Sequence, residues 1–389
     1  MEGDFIKINK YLLPLAFLYG LIVRFRNFLF DAGVLKSRSF SIPVISVGNI
    51  TVGGAGKTPH VEYLIRLLAD NYQVAVLSRG YKRKTRGYLL AQPGATSEHI
   101  GDEPYQMYSK YGEKIYVAVN ADRCKGIEML QKEKKTSDVD VILLDDAYQH
   151  RYVKPGVNIL LIDYHRLIVY DKMLPSGCLR EPKEGKGRAD VVIVTKCPVD
   201  LRPMDYRVLT KALGLYPYQK LFFTTIQYEE LTPVFPEAAT FHMKDLTPQH
   251  NVIVLTGIAS PKHLLLDLKR FTENISPLSF SDHHVFKEKD VSRLNNLFDS
   301  LGEKKVIITT EKDAARLKNT DGMSNDVRKH IYALPISVAF MLDQKEQFDK
   351  FICGYVQTNS KNSILAKDTS TEEKNTTKTQ QKEQRKITF

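Results

Sequence analysis

Val44-Ile45-Ser46-Val47-Gly48-Asn49-Ile50-Thr51-Val52-Gly53-Gly54-Ala55-Gly56-Lys57-Thr58-Pro59 is the stretch on which the reading of this chain turns. A short apolar run reads as a buried strand, and a glycine-rich turn ending in Gly-Lys-Thr carries it into a helix. That order of elements is a phosphate-binding loop, in which glycines let backbone N–H groups close around phosphate oxygens at a helix N-terminus. Thr51, Val52, Gly53, Gly54, Ala55, Gly56, Lys57 and Thr58 form the candidate nucleotide cradle. Lys57 would reach the β- and γ-phosphates and Thr58 would place its hydroxyl on Mg²⁺. One feature departs from the usual pattern: Thr51 stands where the first glycine is expected.

A phosphate loop calls for a carboxylate at the end of a second apolar strand. Val141-Ile142-Leu143-Leu144-Asp145-Asp146 supplies it, so Asp145 or Asp146 should orient Mg²⁺ or its water. Further strands are expected at 43–47, 74–78, 115–119, 139–144, 157–162 and 191–195. They are continuous apolar runs with helical-length segments between them, as parallel strands covered on both faces require. A second set is expected near 221–225, 252–255, 306–309 and 331–334. The fold class is therefore α/β: a P-loop NTPase-type, doubly wound, mostly parallel sheet with a second, smaller α/β domain. Prolines 198, 203 and 217 set the expected boundaries at 36–210 for the first domain and 211–356 for the second. These motifs establish nucleotide handling and leave kinase, GTPase switch and ATPase open.

Outside that body the ends differ in character. Tyr11 to Val23 is apolar, broken by Pro14 and Gly20 and closed by Arg24 and Arg26. It is short for a membrane span, and the pattern continuing to Phe28 suits an interfacial amphipathic helix within residues 1–35. A helix packed on its own domain is the alternative. From 357 to 389 the chain is polar, with almost no aromatics, and reads as a disordered tail. The whole chain has 389 residues, is 43% hydrophobic and 26% charged, and carries a net charge of +11. Those fractions exclude a polytopic membrane protein and a chain disordered throughout, and the charge surplus suits an anionic partner. Four scattered cysteines argue against disulfide or zinc scaffolds and for a reducing compartment.

The loop at 46–59 closely resembles that of tetraacyldisaccharide 4'-kinases, which also lack the first glycine. Further family motifs follow in order: Leu77-Ser78-Arg79-Gly80-Tyr81, Gly101-Asp102-Glu103-Pro104, Asp145-Asp146-Ala147-Tyr148-Gln149-His150, Leu174 to Pro182, Ser281-Asp282-His283-His284 and Thr309 to Asp313. The resemblance spans roughly residues 10 to 340. Ala147 replaces a usual glycine, and Cys178 a commoner proline.

The resemblance implies phosphoryl transfer from ATP, with Mg²⁺, to the 4'-hydroxyl of a lipid-linked disaccharide 1-phosphate in lipid A biosynthesis. It implies a peripheral protein on the cytoplasmic face of the bacterial inner membrane, held through its first helix; a monomer with no nucleic-acid partner is expected. By the same likeness Asp102 is the base for the acceptor hydroxyl and His283 its partner, with His284 a rival. Glu181 joins Thr58, Asp145 and Asp146 near the metal, its alternative being an ion pair with Arg180. Arg79 and Tyr81 recognise sugar or phosphate, and Gln149 and His150 line the acceptor site. A GTPase switch or metallochaperone is the rival reading; it would need an Asn-Lys-x-Asp base-reading motif, and 194–198 offers only a partial echo.

Overall fold

The computed structural model describes residues 8–258, 261–281, 284–318 and 320–360. Fourteen strands run in chain order: β1 (Val44–Gly48), β2 (Val74–Ser78), β3 (Leu89–Leu90), β4 (Ile115–Val119), β5 (Val141–Asp145), β6 (Val157–Asp163), β7 (Val191–Thr195), β8 (Lys220–Tyr228), β9 (Thr232–Pro233), β10 (Asn251–Thr256), β11 (Ile275–Ser279), β12 (Lys305–Thr310), β13 (Ile331–Leu334) and β14 (Ile336–Phe340). Nine form one sheet in the order β14-β8-β7-β6-β1-β5-β2-β4-β3, and five form another, β11-β10-β12-β13-β9. The interior of the large sheet is parallel, with β3 and β14 as antiparallel edges. Every residue of β1, β2, β5 and β7 is buried, as expected for strands covered on both faces.

β1 lies at the centre, between β5 and β6, so both motif-bearing strands end side by side. Such adjacent carboxyl ends are where open α/β sheets bind ligands. The helix Lys57–Leu68 returns over one face and buries Val61, Leu64, Ile65 and Leu68 with Phe348, Ile352 and Val356 of the final helix, Lys345–Asn359.

Strand pairing divides the chain differently from the boundaries at 210 and 356. β8, β14 and the final helix all belong to the large sheet, so the second sheet is an insertion between β8 and β14. The strand near 221–225, expected in the second domain, is β8 of the large sheet, because an apolar run reveals a strand without revealing which neighbour it will join. The two sheets meet at a double crossing, where Glu229 N–H donates to Pro335 O at 2.9 Å. The final helix also runs past residue 357: Val356 is buried and Thr358 Oγ donates to Gly354 O at 2.8 Å, completing the last turn. Residues 361–389, the bulk of the expected disordered tail, lie outside the described residues.

At the other end the helix Leu13–Asp31 buries Ala16, Gly20, Val23 and Phe30 against the body. Leu15, Phe17, Leu18, Leu21, Ile22, Phe25 and Phe28 are exposed. One face thus packs on the body, and the other is an exposed apolar surface. Arg24 is exposed, whereas Arg26 turns inward: its guanidinium donates to Gln149 O at 3.2 Å and lies over the Phe30 ring.

Candidate active site

The phosphate loop is shaped by backbone that only glycine adopts easily. Gly53 and Gly56 have φ of +108° and +80°, and Gly56 immediately precedes the helix Lys57–Leu68. The loop is tied down from the end of β7: Thr195 Oγ donates to Ala55 O at 3.0 Å, and Lys196 Nζ bonds Gly54 O and Asp163. Gly48 ends β1 against the turn after β5; a Cβ there would sit 2.8 Å from Tyr148 Cβ. Close approach is therefore what glycine supplies at that position.

Lys57 Nζ lies 3.7 Å from Asp146 Oδ1 and 3.5 Å from Asn49 Oδ1. Arg180 Nη1 meets the other Asp146 oxygen at 3.3 Å. Asp146 holds φ of +46°, a strained backbone for a non-glycine residue and a common one at functional turns. Its Oδ1 is buried without a hydrogen-bond partner. Asp145 is buried and accepts from Ser78 Oγ at 3.1 Å. Burial, then Asp146, then Glu103 push its carboxyl up to about 6. Two adjacent carboxylates, one with a buried oxygen that makes no hydrogen bond among the described residues and one under strong electrostatic stress, form a donor set that fits a hard divalent cation.

Glu181 is also buried, but its ion pair is with Arg188 (2.6 Å), not with Arg180. The pairing at Arg180 goes instead to Asp146. Oε1 of Glu181 is buried without a hydrogen-bond partner among the described residues. Thr58 stands in the first turn of the loop helix, beside Lys57.

Asp102 opens the helix Asp102–Tyr111. Arg316, from the helix Glu311–Leu317 of the second domain, donates to its Oδ2 through Nε at 3.2 Å and Nη2 at 2.5 Å. Arg316 also pairs with Asp313 at 3.0 Å, and Asp313 in turn accepts from Gly257 N–H at 2.8 Å. Lys312–Glu103 (3.1 Å) and Lys110–Glu311 (2.8 Å) join the same two helices, and Lys110 also pairs with Glu62 of the loop helix at 2.8 Å. The geometry thus places Asp102 at the seam of the two domains. Asp282 and His283 lie outside the described residues. The rival His284 is engaged with Asp290 at 2.9 Å.

Arg79 and Tyr81 are exposed just beyond β2. Gly80 and Gly101 let this loop touch the start of the Asp102 helix: a Cβ on Gly101 would lie 3.0 Å from Tyr81 O. Gln149 Nε2 bonds Asn49 O, drawing the acceptor-side motif against the phosphate loop. His150 is held neutral, its value pushed down to about 4 by burial and then by Arg123.

Sequence reading missed Arg123, Arg188 and Arg316. Arg123 is buried, donates to Asn120 O at 3.0 Å and Asp145 O at 3.4 Å, and burial pushes it down to about 10. An arginine directly after the helix-capping Asp122 was the available signal. Arg188 and Arg316 carry no local signal, since their acidic partners are set by the fold.

The model of one family matches residues 8–357; that family is LpxK, the tetraacyldisaccharide-1-P 4'-kinases. The chain belongs to this family. A tetraacyldisaccharide 4'-kinase from Phocaeicola vulgatus is 54% identical over 364 residues, covering 93% of this chain and 99% of its own. One from Bacteroides thetaiotaomicron is 52% identical, covering 94% and 98%. Among solved structures, LpxK from Aquifex aeolicus in complex with ATP superposes with a TM-score of 0.68 at 30% identity, covering 89% of this chain and 98% of that one. The α/β architecture expected from the strand pattern is the architecture of this kinase family.

Proposed function

We propose that this chain transfers the γ-phosphoryl group of ATP to the 4'-hydroxyl of a tetraacylated, glucosamine-based disaccharide 1-phosphate, a step of lipid A biosynthesis. The observation that carries the reading is Lys57 facing Asp146 at 3.7 Å where β1 and β5 end together, in a chain that the family matches almost end to end.

Phosphoryl transfer asks a protein chiefly to position reactants and spread charge. Lys57 and the loop amides bring positive charge to the ATP phosphates. Asp145, Asp146 and the Thr58 hydroxyl would hold Mg²⁺, with Glu181 contributing through its unpartnered Oε1. The cation supplies charge neutralisation at the phosphates when bound. Asp102 takes the proton of the acceptor hydroxyl, with His283 as its imidazole partner. Arg316 fixes Oδ2 of Asp102, which orients the carboxylate and ties its placement to the position of the second domain. Arg79 and Tyr81 meet the sugar or its phosphate, and Gln149 and His150 line the acceptor side.

The exposed apolar face of the first helix sits in the interface of the cytoplasmic leaflet of the inner membrane, where a lipid substrate is within reach. The working unit is a monomer. The test is direct: purified protein with Mg-ATP and the disaccharide 1-phosphate in detergent micelles should place one phosphate at the 4'-position. An unmodified acceptor, under conditions where ATP demonstrably binds, rejects the reading.

A further inference from the structure

Beyond the phosphate loop, three side chains of different donor type converge near the carboxyl ends of β4 and β5. We propose that Asp122, Cys124 and His150 form a binding site for a transition-metal cation of the Zn²⁺ class, separate from the Asp145–Asp146 pair. One ligand atom from each residue lies within 4.8 Å of the other two. Tetrahedral bonds of about 2.0–2.3 Å put ligand atoms ~3.5 Å apart, so capture asks for side-chain movements of about 1 Å.

Each ligand is delivered by a separate structural cause. Asp122 caps the helix Arg123–Lys132, its Oδ1 accepting from Lys125 N–H at 3.2 Å, which fixes the carboxylate and spends one oxygen. Cys124 stands in the first turn of that helix, buried, its thiol donating weakly to Tyr152 O at 3.4 Å. His150 is fixed by its main chain, N–H to Ala147 O at 2.8 Å, and its Nε2 is buried with no hydrogen-bond partner among the described residues. A buried ring nitrogen without a partner is costly, and a metal bond would offset that cost.

The charge environment sets the affinity. Arg123, Arg26 and Arg79 act on His150 and Arg38 acts on Cys124. With one thiolate and one carboxylate the loaded site carries no net charge, one unit more positive than the free carboxylate–thiol site, and the metal–ligand bonds must offset the opposition of these guanidinium groups to that rise. Sulfur and nitrogen donors select Zn²⁺, Co²⁺ or Cd²⁺ over Mg²⁺. Burial and Asp122 push the Cys124 thiol above its ordinary value, so the ion must displace that proton and binding weakens in acid. A consequence for turnover rests on the function proposed above: an ion on His150 removes it from the acceptor side and inhibits transfer.

The test uses the full-length protein without nucleotide or lipid and Co²⁺ as the probe. One equivalent should produce a near-ultraviolet thiolate-to-cobalt charge-transfer band that Zn²⁺ abolishes. Cys124→Ser should lose the band and Cys353→Ser should keep it. No band, or one that survives Cys124→Ser, overturns the site. In the kinase assay Cys124→Ser should keep basal turnover and need at least about tenfold more Zn²⁺ for equal inhibition. Equal sensitivity of the two proteins overturns the regulatory consequence. A protein inactive on the acceptor refutes the proposed function, and the cobalt titration still decides the site.

Discussion

Replacing Asp145 by Asn should make the protein more stable while stopping its chemistry. Asp145 is 4% exposed, its side chain accepts from the Ser78 hydroxyl, and burial, Asp146 and Glu103 raise its carboxyl from 3.8 to about 6. At ~1.36 kcal/mol per pH unit, that rise corresponds to about 3 kcal/mol spent on holding the ionised form in the fold. The folded value lies above the unfolded one, so the folded state binds the extra proton between pH 3.8 and about 6. Stability from this group is therefore fully present below pH 3.8 and lost as pH rises through 6. Asn carries no charge and keeps the shape, so Asp145→Asn should gain about 3 kcal/mol at pH 8, and the gain should shrink toward zero near pH 4. Urea unfolding of both proteins at pH 8, 6 and 4.5, with chelator and without nucleotide, measures it. His60 and His150, both pushed down to about 4 by burial, titrate in both proteins and cancel in the difference. A variant less stable at pH 8, or a gain that does not shrink in acid, would refute the electrostatic reasoning.

Asp102→Ala should lower turnover by at least about 10²-fold and leave ATP affinity nearly intact, as measured by nucleotide titration; collapse of nucleotide binding would make Asp102 a structural residue. Arg316→Gln strands two carboxylates at the domain seam and should cost about 3–5 kcal/mol in denaturant unfolding, with Arg316→Lys recovering part of it. Gly48→Ala brings a methyl to 2.8 Å from Tyr148 Cβ and should cost about 1–3 kcal/mol, with unfolding and turnover both affected because the pushed turn begins at Asp145. Phe17→Asp with Ile22→Asp should release the protein from sedimenting vesicles while turnover in micelles stays near wild type, since both side chains are exposed.

What the sequence made legible is local. The loop from Val44 to Pro59 encodes its own strand, turn and helix, because glycine freedom, apolar run and helix start are short-range properties. Asp145 and Asp146 were legible for the same reason, as the polar end of a buried strand. Chemistry that depends on meetings across the fold was not. Arg316 contacts Asp102 across 214 residues, and no period or spacing announces such a pair. Glu181 illustrates the limit: Arg180 is its chain neighbour, yet the bend at 182–188 delivers Arg188 to it and frees Arg180 for Asp146. Strand 220–228 was legible as a strand but not as a member of the larger sheet, because membership is decided by β7 and β14 on either side.

The seam between the sheets has the physical character of a joint. Apart from Tyr228 at the end of β8, the buried apolar clusters stay within one sheet or the other among the described residues. What joins the Asp102 helix to the second domain is charge: Lys110 with Glu311, Lys312 with Glu103, Arg316 with Asp102. An apolar seam of that size would lock the domains, whereas hydrogen-bonded ion pairs can exchange partners with water as they separate. The covalent link is equally suited to bending, being two adjacent crossings held by the Glu229–Pro335 bond. The proposed base therefore lies where opening of the joint would alter its contacts. Coupling proton acceptance to closure in this way would keep transfer to the sugar hydroxyl ahead of transfer to water.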